Sequence, residues 1–90
     1  AEFEIGENHK VTVISVPEGH DKPYKYPLIF SKSAAVVLTK SDLMPYIDFD
    51  MDKFRSGIMS LNSDCKIFAV SSKTGEGLDG WIDWLKGIRG

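Results

Sequence analysis

AAVVL, which occupies residues 34–38, is an unbroken apolar run with no alternation of polar and apolar side chains. Such a run is typical of a strand that is buried on both faces, as in a parallel sheet covered by helices. The polar stretch TKSD follows directly at residues 39–42. The pattern therefore predicts a central parallel strand that ends in a polar loop.

Two further runs of β-forming residues lie on either side of this one. VTVISV at residues 11–16 is rich in β-branched residues and stops at Pro17, and IFAV at residues 67–70 is followed by the polar residues SSK. Pro27 suits the first turn of a short helix that continues to Phe30. The chain thus predicts three strands, with the edge of the first strand left unpaired.

Helical stripes separate and follow the last two strands. Asp48 or Asp50 is placed to cap a helix that ends near Asn62 and Ser63, and a final helix follows residues 74–77. The expected apolar faces are Met51, Phe54, Ile58 and Leu61 in the first of these helices, and Leu78, Trp81, Ile82, Leu85 and Ile88 in the second. Alternating strands and helices predict an α/β fold with a three-layer parallel sheet, three strands and about three helices.

Composition excludes several functional classes. Ninety residues with 42% hydrophobic and 27% charged side chains are typical of one soluble globular domain. A net charge of −2 gives no basic field for nucleic acid, and no apolar run is long enough to span a membrane. The single cysteine excludes an internal disulfide and favours the cytoplasm, and His9, His20 and Cys65 lack the close spacing of a zinc site.

The two polar stretches begin at positions 39 and 71, each at the carboxyl end of a predicted strand. Because such ends converge in an open parallel sheet, the two loops are expected to meet at one ligand-binding edge. Either stretch alone is more typical of a solvated turn or a strand-to-helix loop than of a binding site. Together, in matched positions, they resemble the guanine-reading half of a G domain.

Guanine presents an N1–H and an exocyclic amine side by side, and a rigid carboxylate can accept from both. Asp42 is the candidate acceptor, and adenine lacks the matching donor pair. Lys40 could lay its aliphatic stem on one face of the base, and Lys73 could cover the other. Backbone N–H groups near Ser72 and Lys73 could donate to the guanine O6. The predicted guanine-binding set is Thr39, Lys40, Asp42, Ser71, Ser72 and Lys73.

No catalytic residue is predicted in this stretch of sequence. A phosphate-binding loop needs Gly-x-x-x-x-Gly-Lys-[Ser/Thr], and the three Lys-Ser or Lys-Thr pairs here begin at Lys32, Lys40 and Lys73. None of these lysines follows a glycine. We therefore expect residues 1–90 to be the C-terminal portion of a G domain that lacks the phosphate-binding half and does not hydrolyse GTP alone.

Longer segments carry a more specific resemblance. AEFEIGE at residues 1–7, SVPEGHDKP at 15–23, KYP at 25–27, LMPYIDFD at 43–50 and KTGEGL at 73–78 resemble the C-terminal half of the HypB family. This family consists of SIMIBI-class GTPases that assist nickel insertion into [NiFe]-hydrogenases. The resemblance extends over nearly the whole chain and departs at Thr39, where the usual motif has Asn. That departure puts affinity in question more than guanine preference.

The resemblance implies a GTP-dependent metallochaperone that forms a homodimer. It implies GTP with Mg²⁺ and nickel or zinc as ligands of the whole protein, and a HypA-type chaperone and the hydrogenase large subunit as its partners. The family's phosphate loop and its metal ligands would lie before Ala1, so no metal ligand and no tightly bound cofactor are expected here.

Two alternatives remain open from the sequence. The chain could be a non-catalytic interaction module whose loop from Pro17 to Pro27 engages a partner protein. It could also be the corresponding part of a related GTPase, such as a urease accessory protein.

Overall fold

A four-stranded sheet forms the centre of the computed structural model, which describes residues 2–4 and 9–89. Its strands are β1 (Glu2–Glu4), β2 (Lys10–Ser15), β3 (Ala35–Thr39) and β4 (Lys66–Ala69), in that spatial order. β2, β3 and β4 are parallel, with Val11 opposite Ala35 and Ala35 opposite Lys66. The predicted parallel α/β fold is confirmed.

The first predicted strand does not have a free edge, because β1 pairs with it in the antiparallel sense. Glu4 lies opposite Lys10, and Glu2 lies opposite Thr12. A strand of three residues is too short to produce a recognisable pattern, which is why the sequence analysis missed it. Part of the resemblance at residues 1–7 lies outside the described residues, since residues 1 and 5–8 are not described.

Within the described residues, four α-helices cover the two faces of the sheet. They are α1 (Lys22–Lys25), α2 (Pro27–Ser31), α3 (Met51–Leu61) and α4 (Leu78–Arg89). Pro27 occupies the first turn of α2 as predicted. Asp50 caps α3, where its Oδ1 accepts from the Lys53 backbone N–H at 3.0 Å. None of the described helices is both long enough and apolar enough to cross a lipid bilayer.

Each face of the sheet has its own core. The core on the side of α2 and α3 consists of Ile14, Val16, Phe30, Val36, Leu38, Phe54, Ile58 and Cys65. The core on the side of α4 consists of Val11, Ala35, Val37 and Val70, with Phe68, Leu78, Trp81 and Trp84 packed against it. β3 is buried from Ala35 to Leu38, as its unbroken apolar run predicts.

The apolar face of α4 differs in one position from the prediction. Ile82 is 43% exposed, whereas Trp84 packs against Phe68 with ring centroids 5.7 Å apart. Trp81 lies 5.5 Å from the same ring and stacks on Trp84 at 5.6 Å. Phe68 on β4 provides an aromatic surface for the Trp84 flank of the helix, and this tertiary contact selects which flank is buried.

Candidate functional site

The polar loops that follow β3 and β4 meet at the carboxyl edge of the sheet. After Thr39 the chain turns at Lys40 into a 3₁₀ turn, Ser41–Tyr46. The Ser41 backbone N–H donates to the carbonyl oxygen of Val70 at 3.0 Å, which joins the start of one loop to the end of the next strand. The convergence expected from parallel strands is therefore present.

Asp42 and Ser71 form the closest side-chain contact between the two loops. The Ser71 hydroxyl donates to Oδ1 of Asp42 at 2.7 Å, and Ser71 Oγ accepts from the Thr74 backbone N–H at 3.2 Å. Ser71 is fully buried and Asp42 is half-buried. Since an ionised carboxylate has about four acceptor positions, this bond orients Asp42 and leaves Oδ2 available to a ligand.

Lys40 has the left-handed backbone conformation that non-glycine residues rarely adopt. Its φ is 59° and its ψ is 38°, and among the described residues no other non-glycine residue has a positive φ. This conformation costs a lysine about 1–2 kcal/mol. The exposed Lys40 side chain stands at the mouth of the site, and backbone strain of this kind is concentrated at functional sites.

Most backbone N–H groups of the loop from Ser71 to Gly77 donate to acceptors within the same loop. The Ser71 N–H donates to the Glu76 carbonyl at 2.9 Å, and the Gly75 N–H donates to the Ser71 carbonyl at 2.8 Å. By contrast, the N–H groups of Ser72 and Lys73 make no hydrogen bond within residues 2–4 and 9–89. Two adjacent donors at an exposed loop tip are available to an acceptor on a ligand.

The hydroxyl of Thr39 bonds back to the neighbouring strand and makes no hydrogen bond to the second loop. Its Oγ1 lies 3.4 Å from the Ile14 carbonyl oxygen, a long hydrogen bond that links the end of β3 to β2. Of the six predicted residues, the structure joins Asp42 to Ser71 by a hydrogen bond, whereas Lys40 and Ser72 line a cavity with Thr39. Lys73 is exposed beside Ser72. Thr39 braces the base of the loop.

Glu76 belongs to the site although the sequence analysis did not single it out as a site residue. Its Oε1 accepts from the Ser41 hydroxyl at 3.1 Å, and its backbone carbonyl accepts from Ser71. Gly77, with a φ of 75°, lets the chain pass against β4, because a Cβ there would overlap the Ala69 carbonyl oxygen. The only sequence signal was the TGEG turn at residues 74–77, which indicates flexibility but no contact.

A cavity of about 360 Å³ lies beneath the loops, between α4 and the sheet. Thr39, Lys40 and Ser72 form its polar rim, and its walls are apolar residues of the sheet and of α4: Val13, Val37, Val70, Leu78 and Trp81. The cavity therefore has a polar rim and apolar walls, which is the general character of small-molecule sites, and Asp42, Ser71 and Lys73 are not among the residues that line it.

The described residues contain no group of three His, Cys, Asp or Glu side chains close enough to hold a metal ion. Cys65 is buried, and that burial raises the pKa of its thiol to about 11, so the thiol is protonated at neutral pH and is a poor metal ligand.

Two solved structures have the same fold. Hydrogenase maturation factor HypB from Archaeoglobus fulgidus superposes with a TM-score of 0.83 at 36% identity, over 93% of this chain and 45% of that one. HypB from Helicobacter pylori in complex with nickel gives 0.81 at 31% identity, over 86% of this chain and 36% of that one. The chain thus has a parallel α/β fold that matches part of a HypB P-loop GTPase domain.

Sequence comparison agrees. Hydrogenase maturation factor HypB of Escherichia coli K12 is 44% identical over 86 residues, which cover 96% of this chain and 30% of the relative. No protein-family model matches. The chain aligns over nearly its whole length with a portion of the HypB hydrogenase maturation factors and spans about 30% of the length of the curated relatives it matches.

Proposed function

We propose that this chain is the guanine-binding side of a HypB-type GTPase that assists nickel insertion during [NiFe]-hydrogenase maturation. The observation that carries the guanine assignment is the 2.7 Å bond from Ser71 to Asp42, which joins the two loops and orients one carboxylate at the carboxyl edge of the sheet. The similarity to HypB over nearly the whole chain supports the wider function.

Asp42 supplies the discrimination in this proposal. With Oδ1 held by Ser71, the carboxylate accepts from the N1–H and the exocyclic amine of guanine through its remaining lone pairs. Adenine offers no such donor pair, so it would leave a charged acceptor unpaired, at a cost of roughly 1.5–3 kcal/mol per lost bond. The site therefore prefers guanine for a reason that lies in one side chain.

Backbone donors and two lysines complete the pocket. The N–H groups of Ser72 and Lys73 donate to the guanine O6, which matches their lack of other partners among the described residues. The stem of Lys40 covers one face of the base and that of Lys73 the other. Thr39 contributes indirectly, through its link to Ile14 at the base of the loop.

The remaining activities are assigned to the whole protein. GTP with Mg²⁺ would be held mainly by residues that correspond to the other part of a HypB chain, and nickel by ligands outside the described residues. A HypA-type chaperone, the hydrogenase large subunit and a second copy of the protein are the proposed partners, and the cytoplasm is the proposed compartment. These proposals rest on resemblance to HypB, and residues 1–90 contribute base recognition.

A nuclear magnetic resonance titration of the ¹⁵N-labelled chain tests the guanine assignment. We expect GDP to shift the backbone signals of Asp42, Ser72 and Lys73, and ADP at the same concentration to leave them unchanged. Asp42→Asn should abolish the GDP response, because its amide presents a donor to the guanine donors. Asp48→Asn, an isosteric change at an exposed acid in the same region, should retain it. Equal responses to GDP and ADP would refute guanine recognition.

An interaction module is the second candidate, and the surface of α1 and α2 favours it. Tyr24, Tyr26, Leu28 and Ile29 are 52%, 50%, 71% and 38% exposed. A group of exposed apolar side chains on adjoining short helices often marks a protein contact. If GDP causes no shifts in the titration while an added partner protein shifts the signals of residues 17–29, this second function replaces the first.

A further inference from the structure

Glu76 contacts both loops of the candidate site. Its carboxylate Oε1 accepts from the Ser41 hydroxyl at 3.1 Å, and its backbone carbonyl accepts from the Ser71 N–H at 2.9 Å. Ser41 is only 6% exposed and Ser71 is fully buried, so both serines are fixed in position. Glu76 thus connects the loop that follows β3 to the loop that follows β4.

These contacts close a ring around Asp42. Ser41 precedes Asp42 in the chain, the Asp42 carboxylate accepts from the Ser71 hydroxyl, and Ser71 is bonded through its N–H to Glu76, which returns to Ser41. Every link is a hydrogen bond of 3.1 Å or less or a covalent bond. If the Glu76 contact to Ser41 is removed, the Ser71 hydroxyl still joins Asp42 to the second loop. The Ser41 backbone N–H also stays bonded to the Val70 carbonyl oxygen.

We propose that Glu76 is a positioning residue for guanine recognition, acting through Ser41 to hold the Asp42 loop at a fixed distance from the Ser72 and Lys73 donors. The inference rests on the proposed guanine function. A base that is bound by Asp42 on one edge and by Ser72 and Lys73 at O6 requires both loops in register, because a shift of either loop breaks one set of bonds.

The contact between Ser41 and Glu76 makes a connection between the two loops in which Thr39 takes no part. The hydroxyl of Thr39 bonds within the sheet to Ile14 and does not reach the second loop. Ser41 and Glu76 make a cross-link between the loops that Thr39 does not make. The structure therefore assigns this side-chain cross-link to residues 41 and 76.

A double-mutant cycle separates this role from a general effect on the loop. We expect Glu76→Ala to weaken GDP binding roughly three- to tenfold, the effect of losing one modest hydrogen bond. Ser41→Ala should weaken it to a similar extent, and the double variant should be no weaker than either single variant. Glu76→Gln retains a side-chain oxygen acceptor and should restore most of the affinity. Asp83→Ala, which removes an exposed carboxylate from α4, serves as the matched control.

The unliganded chain gives an independent readout. Removal of the Glu76 carboxylate should shift the backbone signals of Ser41 and Asp42 and speed hydrogen exchange at the Ser41 N–H, whereas Asp83→Ala should change neither. Unchanged Ser41 and Asp42 signals, or additive effects of the two substitutions on GDP affinity, would overturn the proposal. If wild type shows no preference for GDP, guanine recognition fails, and the unliganded comparison still decides whether Glu76 holds the loop.

Discussion

The Ser71 hydroxyl and the Asp42 carboxylate lie 2.7 Å apart although 29 positions separate the two residues in the chain. Each residue follows a strand of the same parallel sheet, so the fold delivers them to one edge. The bond fixes the orientation of a half-buried acid that would otherwise rotate freely. It therefore links the stability of the loops to the orientation of the carboxylate that is proposed to recognise guanine.

Removing this hydroxyl should affect both properties. Ser71→Ala is expected to reduce the free energy of unfolding by about 1–2 kcal/mol, because the partly buried hydrogen bonds of its hydroxyl to the Thr74 N–H and to Asp42 are lost together. GDP affinity should fall several-fold in the same variant. Ser72→Ala keeps the backbone donor and removes an exposed hydroxyl, so it should leave both quantities close to wild type. Urea unfolding and the GDP titration measure them; equal behaviour of the two variants would contradict this role of Ser71.

Two glycines of the second loop should differ sharply in their tolerance of a methyl group. Gly75 and Gly77 both have positive φ, at 82° and 75°. Each alanine substitution therefore costs about 1–2 kcal/mol, because a residue with a Cβ is strained in the left-handed backbone conformation. At Gly75 a Cβ meets nothing, whereas at Gly77 it overlaps the Ala69 carbonyl oxygen. We expect Gly77→Ala to be destabilising by about 1–3 kcal/mol more than Gly75→Ala. Denaturant unfolding of both variants tests this, and similar losses would show that the loop can move away from β4.

Glu18 should make a small contribution to stability that depends on pH. The Ser15 backbone N–H, which donates to Glu18 Oε2 at 2.8 Å, is the main cause that lowers the pKa of Glu18 below its usual 4.5, with the Ser15 hydroxyl adding to it against the opposing effect of burial. A lowered pKa in the folded state means that the stabilisation is present above the unfolded pKa and is lost as pH falls through the folded pKa. The effect is small because Glu18 is exposed.

Comparison of wild type with Glu18→Gln isolates the contribution of the Glu18 charge to the free energy of unfolding. The free energy of unfolding of wild type should exceed that of the variant at about pH 7, and the difference should shrink at about pH 3, where the carboxylate becomes protonated. Urea unfolding at both pH values provides the measurement. A difference that is the same at both values would mean that the charge of Glu18 does not matter.

Cys65 should be unreactive in the folded chain. It is 5% exposed, and burial raises the pKa of its thiol to about 11, so little thiolate forms near neutral pH. Alkylation by iodoacetamide, followed by mass spectrometry, should be at least ~10-fold slower in buffer than in concentrated urea. N-acetylcysteine under both conditions corrects for the effect of urea on the reagent. Equal corrected rates would show that the loop before β4 opens readily.

Much of the fold was predictable because its signals are local. The apolar run before Thr39 required burial on both faces, and Pro27 and Asp50 marked helix starts that the structure confirms. Two elements were beyond such reasoning. β1 is too short to show periodicity, and the preference for Trp84 over Ile82 in the α4 interface depends on Phe68, a residue of another element.

The candidate site divides in the same way. Its six residues were predicted from their positions after two strands, and their role in binding guanine stays a prediction. The contacts that organise them were not visible, because Glu76 meets Ser41 across 35 positions and Thr39 turns to Ile14 on a neighbouring strand. No local pattern specifies a pairing between side chains so far apart in the chain.

From its sequence alone, this chain was assigned a parallel α/β fold with two polar loops at one edge, because strand burial and loop position follow from local residue patterns. Its longer motifs carried the resemblance to HypB. The tertiary structure alone decided the hydrogen bonds between those loops, the left-handed backbone of Lys40 and the cover on the β2 edge. These features depend on the distances between elements that are remote in sequence, and such distances exist only once the sheet has assembled.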